Sequence, residues 1–327
     1  MKLEVRTMAE VPVIDVSALF AAGAAPELDG RIARALEREA GFVVVGSPLA
    51  EGLGARMDAL KAVFDLPQAE RLQFAIQKRQ AGNVNLYRGY TPPPERSHFA
   101  YNETFDVGPE PPLAAPDLPS KRAFEEANVW PAEAALPGWR TAALAYVDGC
   151  RALAGALLRS VARGMGVDPS KFGAFSQSRN YTLRLLHYPE VPKGFELLEA
   201  DGSKPQAAPE GQRAIAREHI DTGVVSVLWQ DGQGGLQMLG RDEVWRDVPV
   251  VAGAVSVHCG DLLAPVAGES LAATPHRVIG GLAERFSAGF FLEPEWLTTV
   301  VPPGGVEAKT YAAHLTDEFP ERFVPRR

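Results

Sequence analysis

Residues 274–291 read TPHRVIGGLAERFSAGFF, and the fold turns on how this stretch is paired. Two β-rich runs flank Gly280-Gly281, a dipeptide suited to the tight type I′ turn of a hairpin. Paired that way, His276 faces Arg285 and Thr274 faces Ser287, so an imidazole, a guanidinium and a hydroxyl share one side of a ribbon.

Outward from this stretch, the chain beyond Asn180 is a series of short apolar segments separated by Gly, Pro and Asp: YTLRLLHYP, VVSVLWQ, GGLQML, AVSVHCG, DLLAPV, HRVI and RFSAGFFLEP. Short strands at this spacing predict a β-sandwich or barrel of jelly-roll type. Before it, VPVIDV and GFVVVGSP read as strands around the helical pattern GRIARALEREA, with further helices over Glu51–Phe64 and Gln68–Gln77. The Pro- and Gly-rich residues 81–119 have no helical period and read as an irregular lid or linker; within them His98, Arg96, Tyr90 and Phe105 read as solvated loop. One long helix is predicted from Pro137 to about Met165, and VEAKTYAAHLTDEF near the C-terminus returns to helical spacing. The expected class is mainly β with α, laid out as an N-terminal α+β region (1–120), bracing helices (121–177), a jelly-roll core (178–295) and a C-terminal helical segment (296–327), working as one catalytic unit.

Of the 327 residues 46% are hydrophobic and 23% charged, and the net charge is -8, which suits a globular chain and argues against a nucleic-acid partner. No apolar stretch of membrane-spanning length is expected, nor a secretory signal, and the expected location is the cytoplasm. Cys150 and Cys259 are the only cysteines, too few for a disulfide framework, and read as reduced core residues.

The second decisive stretch is REHIDTG, 217–223. Residues i and i+2 of a strand share a face, so His219 and Asp221 are positioned to share one ion. With His276 as third ligand, two imidazoles and a carboxylate occupy one face of an octahedron and leave three positions open, the arrangement of non-haem Fe(II) oxygenases. An Arg-Ser pair nearby is a carboxylate-binding device, because a guanidinium grips a carboxylate bidentately. The set asks for Fe(II) and a dicarboxylate.

The sequence resembles the 2-oxoglutarate and Fe(II)-dependent dioxygenases of the isopenicillin N synthase-like branch across nearly its whole length. The resemblance is carried by VPVIDVSAL, EAGFVVV, FDLPQAER, RGY, LRLLHYP, HIDTG, GGLQML, GDLL, TPHRV and RFSAGFFLEP. It implies a double-stranded β-helix core with His219, Asp221 and His276 as metal ligands and catalytic centre, and Arg285 and Ser287 on the distal carboxylate of 2-oxoglutarate. Tyr188 falls where family members place a tyrosine that touches this co-substrate. O2 is the oxidant, and a small molecule is hydroxylated, desaturated or cyclised with release of succinate and CO2. The chain departs from the family at Gly46–Pro48, GSP where plant relatives read NHG, and at Leu186, where an Asn is usual. Two rival readings are an oxidase of the same fold that does not consume 2-oxoglutarate, and a non-catalytic metal-binding scaffold. His187 and His258 read as structural, and Pro189–Arg213 as a flap over the site mouth.

Overall fold

The computed structural model describes residues 10–21, 25–94, 100–190, 213–267, 269–280, 283–302, 304–305 and 307–320. His98, Arg96 and most of the proposed flap, residues 191–212, lie outside them. Twelve strands build the two main sheets: β1 (Val13–Asp15), β2 (Gly41–Val45), β3 (Gly89–Thr91), β4 (Glu103–Val107), β5 (Tyr181–Tyr188), β6 (Arg213–His219), β7 (Val225–Gln230), β8 (Leu236–Leu239), β9 (Trp245–Asp247), β10 (Val255–Cys259), β11 (His276–Gly280) and β12 (Arg285–Leu292). The major sheet runs β1-β2-β10-β7-β12-β5-β4-β3 and the minor one β6-β11-β8-β9.

Strand alternation divides the apolar residues between two cores. Leu183, Leu185, Phe290 and Leu292 point away from the minor sheet into the larger core, which also takes the buried side of the helix Trp139–Met165. Tyr188, Val43 and Leu228 point the other way and meet Ile215, Ala216, Leu236, Met238 and Val278 of the minor sheet. The space between the sheets is therefore a lumen with apolar residues on both walls, and the even-numbered residues of β5 and the odd-numbered ones of β12, Arg184 and Arg285 among them, face it.

The pairing of the opening stretch differs from the hairpin reading. β11 pairs with β6 and β8, whereas β12 pairs with β5 and β7, so the two runs lie in different sheets. His276 is opposite His219, not Arg285, and Thr274 donates its hydroxyl to the Ala40 carbonyl at 2.7 Å instead of facing Ser287. Gly-Gly favours a tight turn, but the apolar faces of both runs are better buried by crossing between layers than by folding back on each other.

Residues 81–119 are not wholly irregular. They contribute β3 and β4 to the edge of the major sheet, and Tyr90 and Phe105, at 2% and 0% exposure, are core residues, not solvated loop. The helix expected over Gln68–Gln77 stops earlier: one turn at Gln68–Arg71 passes into a 3-10 turn at Leu72–Phe74, where the Asn83 side chain donates to the Leu72 and Ala75 carbonyls. DLLAPV is no strand; it forms a turn leading into the short helix Ala264–Ala267.

The long helix runs Trp139–Met165 and closes at Gly166, whose N–H donates to the Ala162 and Arg163 carbonyls. Contrary to the sequence expectation, it is long and apolar enough to cross a membrane by length and composition. Its apolar side is already covered: Tyr146, Cys150, Leu153, Leu157 and Val161 are buried in the larger core. Cys259 is likewise buried, and both thiols are free.

Candidate active site

β6 ends at His219 and β11 begins at His276, and because these residues are register partners the two rings meet with centroids 4.1 Å apart. Asp221 lies past the end of β6, in the turn after it, so its position does not come from strand alternation. The turn is held from behind by the GDLL segment. Asp261 donates its backbone N–H to the Asp221 carbonyl at 3.0 Å and accepts the Gly223 N–H on its carboxylate at 2.8 Å. Gly260 packs backbone to backbone there: a Cβ on it would lie 2.4 Å from the Gly223 carbonyl oxygen.

Each imidazole is oriented by its own strand. Nδ1 of His219 donates to the Arg217 carbonyl at 2.8 Å and Nδ1 of His276 to the Thr274 carbonyl at 3.1 Å, which leaves both Nε2 atoms as lone-pair donors. These point at the same oxygen, Asp221 Oδ1, at 3.8 and 3.7 Å, and the three ligand atoms lie within 4.8 Å of one another. Burial, with the neighbouring imidazole, pushes both histidines down to about 4. Burial opposes ionisation of Asp221, but His276 and the hydrogen bond from His258 hold its carboxyl well below the usual range. At neutral pH the triad is thus two neutral imidazoles and a carboxylate, the protonation state a divalent cation requires.

The other carboxylate oxygen, Oδ2, is occupied. The Ser226 hydroxyl donates to it at 2.5 Å, and His258 Nε2 lies 2.8 Å away. A carboxylate oxygen only accepts, so His258 carries its proton on Nε2. With Oδ2 taken by two donors, Oδ1 is left for the ion. His258 is fully buried with its ring 4.4 Å from that of His276; it is structural in the sense that it is no ligand, yet it sits directly behind one. Sequence reading missed this role. Inward alternation along AVSVHCG was the available signal.

Arg285 reaches the lumen from the opposite sheet. It is 3% exposed, and its Nε donates to the Gly234 carbonyl at 2.7 Å. That carbonyl is brought in by a turn in which Gly235 has φ +89 and a Cβ would meet the Ile279 oxygen at 2.1 Å, so only glycine fits. Nη2 lies 3.5 Å from Gln230 Oε1, and Nη1 is buried with no hydrogen-bond partner. Among the described residues no carboxylate ion-pairs with it. Tyr188 is its register partner, with the guanidinium carbon 4.9 Å from the ring centroid, and burial pushes the tyrosine hydroxyl up. Ser287, two residues along the same face, donates its hydroxyl to the Trp229 carbonyl at 2.7 Å and pairs across the sheet with Leu186.

The structure therefore brings together all six residues singled out in the sequence: His219, Asp221 and His276 in one cluster, Arg285, Ser287 and Tyr188 in a second on the facing sheet. A buried guanidinium with an unpartnered nitrogen, facing a preformed ligand triad, fits a dicarboxylate co-substrate. His187 lies on the other face of β5, bonded to Glu103 at 2.6 Å and Glu284 at 2.7 Å and stacked on Phe286, consistent with a structural role.

The 2OG-Fe(II) oxygenase superfamily model matches residues 179–294, and an N-terminal model of non-haem dioxygenases in morphine synthesis matches residues 11–133. The chain belongs to the 2OG-Fe(II) oxygenase superfamily. It is 28% identical to isopenicillin N synthase of Hapsidospora chrysogena over 96% of this chain and 91% of that protein. It is also 28% identical to the 2-oxoglutarate-Fe(II) type oxidoreductase hxnY of Emericella nidulans, over 86% and 78%. Among solved structures, Neurospora crassa T7H in complex with alpha-KG superposes with TM-score 0.76 at 22% identity, covering 97% of each chain. The chain is thus a 2-oxoglutarate-dependent dioxygenase using Fe(II), 2-oxoglutarate and O2, and the oxidase that spares 2-oxoglutarate is not the favoured reading.

Proposed function

We propose that His219 Nε2, Asp221 Oδ1 and His276 Nε2 hold Fe(II), that Arg285, assisted by Tyr188 and Ser287, holds the distal carboxylate of 2-oxoglutarate, and that the enzyme oxidises a small molecule. When bound, Fe(II) and 2-oxoglutarate supply the oxidising power: O2 takes two electrons from the decarboxylating co-substrate, giving succinate and CO2, and two from the substrate. The protein's residues do the rest. The two imidazoles and Asp221 present three lone pairs on one side of a point and leave the other side open to the lumen. His258 and Ser226 fix which carboxylate oxygen faces that point. Arg285 offers a buried Nη1 with no hydrogen-bond partner, and apolar Val43, Leu228, Met238 and Val278 keep bulk water from the chelate. Ser287 takes part once its hydroxyl turns from the Trp229 carbonyl.

The observation that carries this reading is the unpartnered, buried Nη1 of Arg285 across the lumen from a preformed ligand triad. A small-molecule substrate is supported by the crystal structure of Neurospora crassa T7H with thymine, and the net charge of -8 disfavours a nucleic-acid partner. Anaerobic titration of the Fe(II)-loaded protein with 2-oxoglutarate tests it. Arg285→Gln weakens 2-oxoglutarate binding about 10–100-fold while Fe(II) binding is kept; equal affinity for 2-oxoglutarate in both proteins overturns the assignment.

A further inference from the structure

A group of charged side chains lies behind the co-substrate anchor, on the face of β5 and β12 turned away from the lumen. His187 on β5 is at its centre: Nδ1 lies 2.6 Å from Glu103 Oε1, and Nε2 lies 2.7 Å from Glu284 Oε1. Glu103, on β4, also accepts from the Tyr90 hydroxyl, and Arg71 Nη1 donates to its two oxygens at 2.6 and 2.7 Å. Burial works against ionisation of Glu103, but the bonds from His187 and Tyr90 and the charge of Arg71 hold its carboxyl below the usual range. A carboxylate oxygen only accepts, so an imidazole bonded to one at each nitrogen carries both protons. The same ring stacks on Phe286, with centroids 4.5 Å and planes 6° apart, and meets Phe64 of the helix Leu53–Asp65. From that helix the Lys61 ammonium lies over the Phe286 ring.

What His187 holds is the beginning of β12. Glu284 and Phe286 flank Arg285, and alternation turns them to the back of the strand while Arg285 and Ser287 face the lumen. The register of β12 with β7 begins at Ser287, whereas Arg285 and Phe286 are paired with β5. On the β7 side Asp231 accepts the Phe286 N–H on its carboxylate at 2.7 Å and donates its own N–H to the Phe286 carbonyl at 3.2 Å. A strand end paired along one side opens more readily than one paired along both. Bidentate recognition of a carboxylate, however, needs its guanidinium placed within about 0.5 Å. A histidine with only a packing role is satisfied by Glu103 at Nδ1 and can leave Nε2 to water; this one turns Nε2 to the residue next to Arg285.

From this geometry we infer that His187 is a positioning residue for the co-substrate: by gripping Glu284 and Phe286 from behind, it fixes the strand end from which Arg285 and Ser287 reach 2-oxoglutarate. The inference rests on the assignment of Arg285 to the distal carboxylate of 2-oxoglutarate. It separates two kinds of ligand. One that uses the anchor depends on His187 and Glu284, and one that meets only the metal does not.

Anaerobic titration of the full-length, Fe(II)-loaded protein with two keto acids tests this: 2-oxoglutarate, and 2-oxobutyrate, which has the same keto acid end and no distal carboxylate. His187→Leu removes both hydrogen bonds of the ring. Glu284→Ala removes the tether at a residue whose side chain is 57% exposed, so the fold is kept even if the leucine variant is unstable. Each variant loses about 3–10-fold in affinity for 2-oxoglutarate, with affinity for Fe(II) and for 2-oxobutyrate unchanged. Glu284→Gln, which keeps an acceptor for Nε2, recovers most of the loss. Wild-type affinity for 2-oxoglutarate in Glu284→Ala, no recovery in Glu284→Gln, or an equal loss for 2-oxobutyrate overturns the inference. Arg285→Gln, measured alongside, keeps the two assignments apart. If it weakens 2-oxoglutarate binding and Glu284→Ala does not, the clamp alone falls; if it leaves 2-oxoglutarate binding unchanged, the anchor assignment falls and the clamp with it.

Discussion

Replacing His258 with leucine removes one of the two donors on Asp221 Oδ2 and leaves Ser226 alone to hold the carboxylate. The lost bond is a short one to a buried ionised acceptor, a kind that contributes about 1.5–3 kcal/mol. Part of that is an orientation term: with one donor the carboxylate swings, and both oxygens become available to the ion. Loss of a partner behind a metal ligand lowers metal affinity by about 10–100-fold, which corresponds to about 1.4–2.8 kcal/mol and agrees with the value of the bond. The assay is anaerobic titration with Fe(II), or with Mn(II) as an air-stable stand-in, with unfolding of the metal-free protein as the check on folding. His258→Gln, which keeps a side-chain N–H donor, recovers most of the affinity. A folded His258→Leu protein with wild-type affinity, or a glutamine variant as weak as the leucine one, refutes the reasoning.

Two further outcomes follow from the site. His219 and His276 both titrate near 4 in the folded chain, below the ordinary value of about 6.5, so protonation favours the unfolded state: metal-free protein keeps its full stability above about pH 6.5 and loses it as the pH falls toward 4. The fall in unfolding temperature between pH 7 and 5 is smaller in His219→Gln/His276→Gln, and an undiminished fall contradicts the assigned shifts. Gly260→Ala puts a methyl group 2.4 Å from the Gly223 oxygen and costs about 1–3 kcal/mol of stability. Because that contact braces the Asp221 turn, metal affinity falls with it; a variant with unaltered unfolding and metal binding contradicts the bracing role.

The legible part of this protein was whatever is local in sequence or fixed by motif. His219 and Asp221 are two residues apart, and His276, Arg285 and Ser287 occur within twelve residues, so their grouping survives even though the pairing inferred for them did not. The hairpin reading failed because turn chemistry at Gly280-Gly281 speaks only to neighbours, while the destination sheet of each run is decided by which core its apolar face fills. It nevertheless placed Arg285 at the right chamber, reached from the opposite wall. His258 and Ser226 act on Asp221 from separate strands of the major sheet, so the alternation along AVSVHCG could put His258 on the inward face without naming the carboxylate it serves. Strands β3 and β4 were hidden as well, because they lie in a Pro- and Gly-rich segment and are only three and five residues long. Composition masks strands that short, and their pairing is set by the sheet edge they complete.

The central claim is that His219, Asp221 and His276 hold Fe(II) in a chelate with 2-oxoglutarate. Anaerobic addition of Fe(II) and 2-oxoglutarate to the metal-free protein produces a weak visible charge-transfer band, and Asp221→Ala, folded and equally concentrated, shows none. A correctly folded wild type without the band, or an Asp221→Ala protein with the same band, contradicts the account.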